Sequence, residues 1–216
     1  MLIFPEGLHT PMTHRDFHIK PHSALLVVDV QNDFCPGGSL AVSEGDKVVP
    51  ELNRWISAFK AARRPVAYTR DWHPPDHCSF REQGGPWPVH CVQGTRGVEF
   101  HPDLKIDGPV FSKAFHSNEE AYSGFGGFLD EDGRITTLSL ADWLRRQGVR
   151  HVYVGGLTTD YCVLTTTLDA RKEGFEVTVL ASATRAVNVN PGDGERAFQR
   201  MREAGAQLAE ALATDN

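Results

Sequence analysis

Four side chains of this sequence could carry out covalent chemistry: the carboxylates of Asp29 and Asp71, the ammonium of Lys113 and the thiol of Cys162. A thiol beside a carboxylate and an ammonium is suited to attack on a carbonyl, because the carboxylate can take the thiol proton and return it to a leaving amine. Each residue also has an ordinary structural use, as a turn cap, a surface charge or a small buried hydrophobe. All four follow apolar segments, and this shared position favours a catalytic interpretation.

The segment GGLTTDYCV predicts that Cys162 lies in the first turn of a helix that starts at Thr159 or Asp160. The unpaired N–H groups and the dipole at a helix start stabilise a thiolate, and a nearby Lys113 would lower the thiol pKa further. Backbone N–H groups of Cys162 and of about Thr158 can also stabilise the oxyanion that forms when a thiolate adds to an amide. We therefore expect a cysteine nucleophile with an oxyanion hole.

A second group of residues has the spacing of a metal site, in the segments RDWHPPDH and WPVHC. Asp71 and His73 are two residues apart, so their side chains point the same way from extended backbone, and His90 can complete a set of three. One carboxylate and two imidazoles suit a single divalent ion, zinc first, with iron or manganese as alternatives. His77 is a candidate fourth ligand, although it could equally lie outside the ligand set or face solvent.

Apolar runs alternate with amphipathic segments along the chain. Strands are predicted at 24–30, 66–70, 109–112, 151–155 and 176–181, and helices at 46–63, from Ser139 to Gly148, from about 159 to Gly174, and at 193–204. This alternation predicts right-handed βαβ units in a three-layer αβα fold with a mostly parallel sheet of about six strands. Ligands of such sheets bind beyond the carboxyl ends of the strands, where the four reactive residues are expected.

Length and composition limit the function classes. The 216 residues, 40% of them hydrophobic, suit one domain at 23–216 preceded by an N-terminal arm at 1–22. A formal net charge of -6 argues against a nucleic-acid partner, and there is no apolar run long enough for a membrane span. Four cysteines without a CxxC pair favour free thiols in a reducing compartment. We expect a cytoplasmic protein that acts on a small molecule.

A resemblance to a known family rests on the segments LLVVDVQNDFCPGGSLAV, RDWHPPDHCSF, WPVHCVQGT, VFSKAF, AYSGF and GLTTDYCV. Together they closely resemble the nicotinamidases of the isochorismatase-like hydrolase superfamily, over residues 24–205. The resemblance implies a catalytic triad and a metal site completed by waters, with the pyridine nitrogen of nicotinamide on the metal. Its residues would be Asp29, Lys113 and Cys162 for the triad, and Asp71, His73 and His90 for the metal.

The same resemblance implies further features of the site. These are a cis peptide between Leu157 and Thr158 that turns an N–H into the oxyanion hole, and substrate contacts from Phe34, Leu40, Trp87 and Tyr122, with Gln31 also at the site. The implied reaction is hydrolysis of nicotinamide to nicotinate and ammonia through a cysteine thioester in NAD salvage, with pyrazinamide also accepted. A homo-oligomer is expected on the same basis.

Three alternatives stay open from the sequence. In the first, a metal-bound water attacks the amide directly and no thioester forms. In the second, the cysteine chemistry acts on another small amide or carbamoyl compound. In the third, the chain is a non-catalytic binding or scaffold protein, since a fold does not determine a function.

Overall fold

The computed structural model describes residues 19–210, so most of the predicted arm lies outside the described part. The strands are β1 Ser23–Val28, β2 Val66–Asp71, β3 Val110–Lys113, β4 Phe128–Glu131, β5 Arg134–Ser139, β6 His151–Leu157, β7 Glu176–Arg185 and β8 Gln207–Ala209. The α-helices are α1 Val48–Ala61, α2 Leu140–Arg146, α3 Leu164–Lys172 and α4 Asp193–Glu203.

All eight strands form one sheet in the order β5-β4-β3-β2-β1-β6-β7-β8. The six neighbouring strands β3-β2-β1-β6-β7-β8 are all parallel to one another. Strand β4 is antiparallel to both of its neighbours, β3 and β5. The predicted mostly parallel sheet is confirmed. The prediction of about six strands is wrong, because β4, β5 and β8 are short or half-exposed and so lack a long apolar run.

The alternation of side chains along β1 divides the core into two layers. Leu25 and Val27 belong to the apolar cluster that contains the buried face of α1. Leu26 and Val28 belong to the cluster on the other face of the sheet, with buried residues of α2, α3 and α4. Helices therefore cover both faces, which explains why β1 is buried along its whole length and reads as a continuous apolar run.

The centre of the sheet brings four carboxyl ends side by side. β3, β2, β1 and β6 are consecutive neighbours, and the chain passes to β2 on one side of β1 and later to β6 on the other. Connections diverge at such a switch point and leave a crevice there, which is where open α/β sheets bind ligands. Within residues 19–210, no helix has the length and apolarity needed to cross a membrane.

Candidate active site

The four reactive residues meet at this crevice, one from each central strand. Asp29 follows β1, Asp71 ends β2, and Lys113 ends β3 directly opposite Asp71 in the register. Cys162 follows β6 in a helical segment that begins at Thr159, one of the two predicted starts; its first turn, Thr159–Val163, is π-helical, and α3 continues from it. The four side chains converge at this edge of the sheet, as expected.

The ammonium of Lys113 is the centre of the cluster. Its Nζ lies 3.0 Å from Asp29 Oδ2, 3.6 Å from Cys162 Sγ and in contact with Asp71 Oδ1, and it donates to Ala121 O at 3.1 Å. Carboxylate oxygens of Asp29 and Asp71 and the sulfur of Cys162 all lie within 4.8 Å of one another. The Lys113 side chain is 0% exposed, so it is not a solvated surface charge.

Burial and charge pairing set the protonation of this cluster. Burial raises the pKa of Asp29 to about 6, against the opposing effect of Lys113. Burial alone would lower the pKa of Lys113, but Asp29 and Asp71 raise it well above its usual value, so the ammonium stays charged. Although burial opposes ionisation of Asp71, Lys113 and then His73 hold its pKa below the usual range.

The thiol of Cys162 differs from the sequence-based expectation. Its burial raises its pKa well above the usual value, and Asp29 and Asp71 add to that effect, although Lys113 acts in the opposite direction. Lys113 acts on the thiol pKa in the expected direction, but the loss of solvation outweighs this one ammonium. A base must remove the thiol proton when the sulfur attacks.

The carboxylate of Asp29, the candidate base, is held in place by Thr69, a residue that the sequence analysis did not single out. Thr69 Oγ1 donates a hydrogen bond of 2.6 Å to Asp29 Oδ1, and both side chains are fully buried. The other oxygen, Oδ2, faces Lys113. Thr69 lies two residues before the end of β2 and pairs with Val28, the residue before Asp29. The register of β1 and β2 therefore brings its hydroxyl to the Asp29 carboxylate.

The predicted metal ligands also come together. Donor atoms of Asp71, His73 and His90 lie within 4.8 Å of one another, and all three residues are buried. His73 Nδ1 is 3.1 Å from Ala114 O, and His90 Nδ1 is 2.8 Å from Pro88 O. Backbone carbonyls accept from protonated Nδ1 atoms, so each ring keeps its Nε2 lone pair for a metal.

Asp71 belongs to both halves of the site. Its Oδ1 contacts Lys113, whereas its Oδ2 lies 3.8 Å from His73 Nε2. Burial lowers the pKa of His73 to about 4 against the effect of Asp71, so this imidazole is neutral at physiological pH. Two imidazoles and a carboxylate with these free donor atoms fit a divalent ion such as zinc.

His77 lies beside the ligand set. Its ring stacks on His73 with centroids 4.1 Å apart, but both of its nitrogens have protein partners. Nδ1 is 2.7 Å from Ser79 Oγ, and Nε2 is 2.9 Å from Glu119 O. His77 is not among the converging donor atoms, and it contacts the ligand set through its ring on His73.

Aromatic side chains surround the crevice. Trp87 Nε1 donates to Tyr122 Oη at 2.9 Å, and Phe34 packs 5.7 Å from the ring of His90. Tyr161, which is not among the predicted substrate contacts, contacts both Trp87 and Tyr122, with ring centroids 4.9 Å and 5.6 Å apart. Leu40 is partly buried and packs against the core on the α1 side. The pattern of apolar residues alone does not show that Tyr161 joins this group.

Two other predicted features have definite positions. The peptide between Leu157 and Thr158 is cis, as the resemblance implied. Gln31 is fully buried beside the site, and its amide is hydrogen-bonded to the main chain of Asp71 and to Val98 O.

Comparisons with known proteins agree with this geometry. The isochorismatase domain model matches residues 23–212. The nicotinamidase of Escherichia coli is 42% identical over 205 residues, which cover 87% of this chain and 94% of that protein. The nicotinamidase/pyrazinamidase of Mycobacterium tuberculosis is 40% identical over 190 residues, covering 86% and 97% of the two chains. The pyrazinamidase of Pyrococcus horikoshii, solved in complex with zinc, superposes with a TM-score of 0.78 at 49% identity and covers 88% and 99% of the two chains.

The family match extends over nearly all of the described residues, and these relatives are matched over almost their whole length. The parallel order of the central strands, with an acid, a lysine and a cysteine at their carboxyl ends, is consistent with that match. The resemblance seen in the sequence is confirmed, and the chain belongs to the isochorismatase family.

Proposed function

We propose that this protein hydrolyses nicotinamide to nicotinate and ammonia through a thioester on Cys162, in NAD salvage, and that it also accepts pyrazinamide. One observation carries the proposal: the ammonium of Lys113 contacts the thiol and both carboxylates, and one of them, Asp71, also borders two imidazoles. The similarity to nicotinamidases supports the choice of substrate. Cytoplasmic location and homo-oligomeric assembly stay predictions.

The first half of the reaction forms the thioester. Asp29 takes the thiol proton as the sulfur of Cys162 attacks the amide carbon, and backbone N–H groups of Thr158 and Cys162 stabilise the resulting oxyanion. Asp29 then gives the proton to the departing nitrogen, so the C–N bond breaks and ammonia leaves. Lys113 stays protonated throughout and keeps the Asp29 carboxylate oriented toward the sulfur.

The second half releases the acid. Asp29 takes a proton from water as the water oxygen adds to the thioester carbon, the C–S bond breaks, and the sulfur recovers the proton. Asp71, His73 and His90 would hold the metal, which would supply a Lewis-acidic position for a ring nitrogen and for water. The apolar surface for the ring comes from Trp87, Tyr122, Phe34 and Leu40. Tyr161 extends that surface.

The proposal is tested by incubating purified protein with nicotinamide and measuring ammonia and nicotinate together. Equal amounts of the two products are expected, and pyrazinamide should give ammonia and pyrazinoate. A small carbamoyl compound that lacks a ring nitrogen is the comparison substrate. Turnover of that compound, with no turnover of nicotinamide, would contradict the proposal and favour the second alternative from the sequence.

The pH dependence should follow Asp29, because only the ionised carboxylate can accept the thiol proton. Its pKa of about 6 predicts that kcat/KM is level at higher pH and falls as pH drops through this value. Below it the fall should be about tenfold per pH unit. A pH profile with nicotinamide checks this, and His116→Gln, which removes an exposed histidine, should leave the profile in place. Activity that stays level well below the Asp29 pKa would contradict the assignment of this base.

Removal of the metal should lower activity, because no ion would then bind the ring nitrogen and orient the substrate. We expect protein stripped with a chelator to lose at least about tenfold in ammonia release and to recover with zinc. His90→Ala should abolish stoichiometric zinc binding, whereas His101→Ala, on a loop outside the ligand set, should not. Undiminished activity of the stripped protein would point away from nicotinamide.

A further inference from the structure

The side-chain amide of Gln31 is hydrogen-bonded to both the main-chain N–H and the main-chain carbonyl of Asp71. Its Oε1 accepts from Asp71 N at 2.8 Å, and its Nε2 donates to Asp71 O at 2.8 Å. The second hydrogen of Nε2 is donated to Val98 O at 2.9 Å. Gln31 is 0% exposed, and both of its amide hydrogens are committed to the protein.

The path of β1 explains why an amide is needed at this point. The pairing of β1 with β2 ends at Val28 and Thr69, and Asp29 then turns the chain with a φ of 48°. The main chain of β1 has therefore left the sheet before it reaches the level of Asp71. The Gln31 amide offers one donor and one acceptor, as a peptide unit does, and takes the place of the missing strand neighbour.

The orientation of Asp71 matters twice. One carboxylate oxygen contacts Lys113, and the other lies 3.8 Å from His73 Nε2. A rotation of the Asp71 backbone would move both oxygens together, away from the ammonium and from the imidazole. We propose that Gln31 is a positioning residue that clamps Asp71, so that its carboxylate serves Lys113 and the metal at once. The metal part of this inference rests on the proposed function.

The third hydrogen bond of Gln31 extends the same constraint to the loop between β2 and β3. This loop, residues 72–109, carries His90, and Val98 lies in its later part. The neighbouring residue Asn32 offers a matched comparison, since its Nδ2 donates to Arg96 O of the same loop at 2.8 Å in an exposed position. Asn32 thus binds the same loop, but through Arg96 instead of Asp71.

The test compares zinc affinity in Gln31→Met, Gln31→Asn and Asn32→Ala, using the full chain and a competing chromophoric chelator. Methionine has a similar length but no amide, and asparagine keeps the amide but is too short to reach both partners. We expect each Gln31 variant to bind zinc about 10- to 100-fold more weakly and to lose kcat. Asn32→Ala should stay within about twofold of wild type in both measurements, as expected for a surface contact.

The outcomes separate this inference from the proposed function. Wild-type affinity for zinc in a folded Gln31 variant overturns the positioning role, even if that variant unfolds at a lower temperature, and leaves the proposed function intact. If Gln31→Met does not fold, Gln31→Asn decides, because it keeps a polar group among the buried carbonyls. Wild-type protein that binds no zinc overturns the proposed metal site itself.

Discussion

Cys162→Ala is expected to lose ammonia release from nicotinamide by on the order of 10⁴-fold or more, because no thioester can form. The substitution removes only a sulfur that is buried between Lys113 and the apolar cluster, so the fold should survive. Mass spectrometry of acid-quenched wild type should in turn show a nicotinoyl adduct on the peptide that contains Cys162.

Cys78→Ala is the control for this experiment. Cys78 is also a free thiol and is only partly buried, and the hydrogen bond that holds it runs from its backbone N–H to Ser117 O. The variant should keep wild-type turnover. If Cys162→Ala retained activity and wild type gave no adduct, direct attack by a metal-bound water would replace the cysteine mechanism.

Lys113→Met should reduce both activity and stability. The substitution leaves two buried carboxylates without their shared ammonium, and breaking a buried ion pair in this way costs about 3–5 kcal/mol of unfolding free energy. Activity should fall by about 100-fold or more, because Asp29 loses the charge that orients it. Urea unfolding of the metal-loaded protein and kcat/KM with nicotinamide measure the two effects.

Two companion variants separate charge from packing. Lys172→Met removes an exposed lysine that pairs with Asp169 at 2.8 Å, and its effect on stability should stay below about 1 kcal/mol. Adding Asp29→Asn to Lys113→Met removes one of the stranded carboxylates, so the double variant should regain part of the stability while remaining inactive. A Lys113→Met protein as stable as wild type would show that the cluster is not held together by this ammonium.

Much of the architecture could be predicted from local sequence patterns. Continuous apolar runs identified β1 and β6, because strands covered by helices on both sides need apolar residues at every position. The Ser139 cap of α2 was also predictable, since its Oγ accepts from Asp142 N only three residues later. The hairpin of β4 and β5 was missed, although the Asp132-Gly133 pair at its turn is a known hairpin signal.

The candidate site was predictable to a different extent for each residue. The spacing of Asp71 and His73 directly indicated a shared direction, whereas the approach of His90 depends on how a long loop returns. The hydrogen bonds by which Thr69 and Gln31 hold Asp29 and Asp71 had no signal in the sequence, because each joins residues 40 positions apart. Only the pairing of β1 with β2 brings such residues together.

The sequence by itself determined which reactive groups this protein has, where along the chain they follow predicted strands, and the family to which it belongs. The tertiary structure decided how those groups are charged and which of them touch. Burial raises the pKa of the Cys162 thiol and of Asp29, and one ammonium is enclosed by both carboxylates. Solvation and interatomic distance are properties of the packed chain, and for this reason a pattern of residue types could name the participants without stating how they interact.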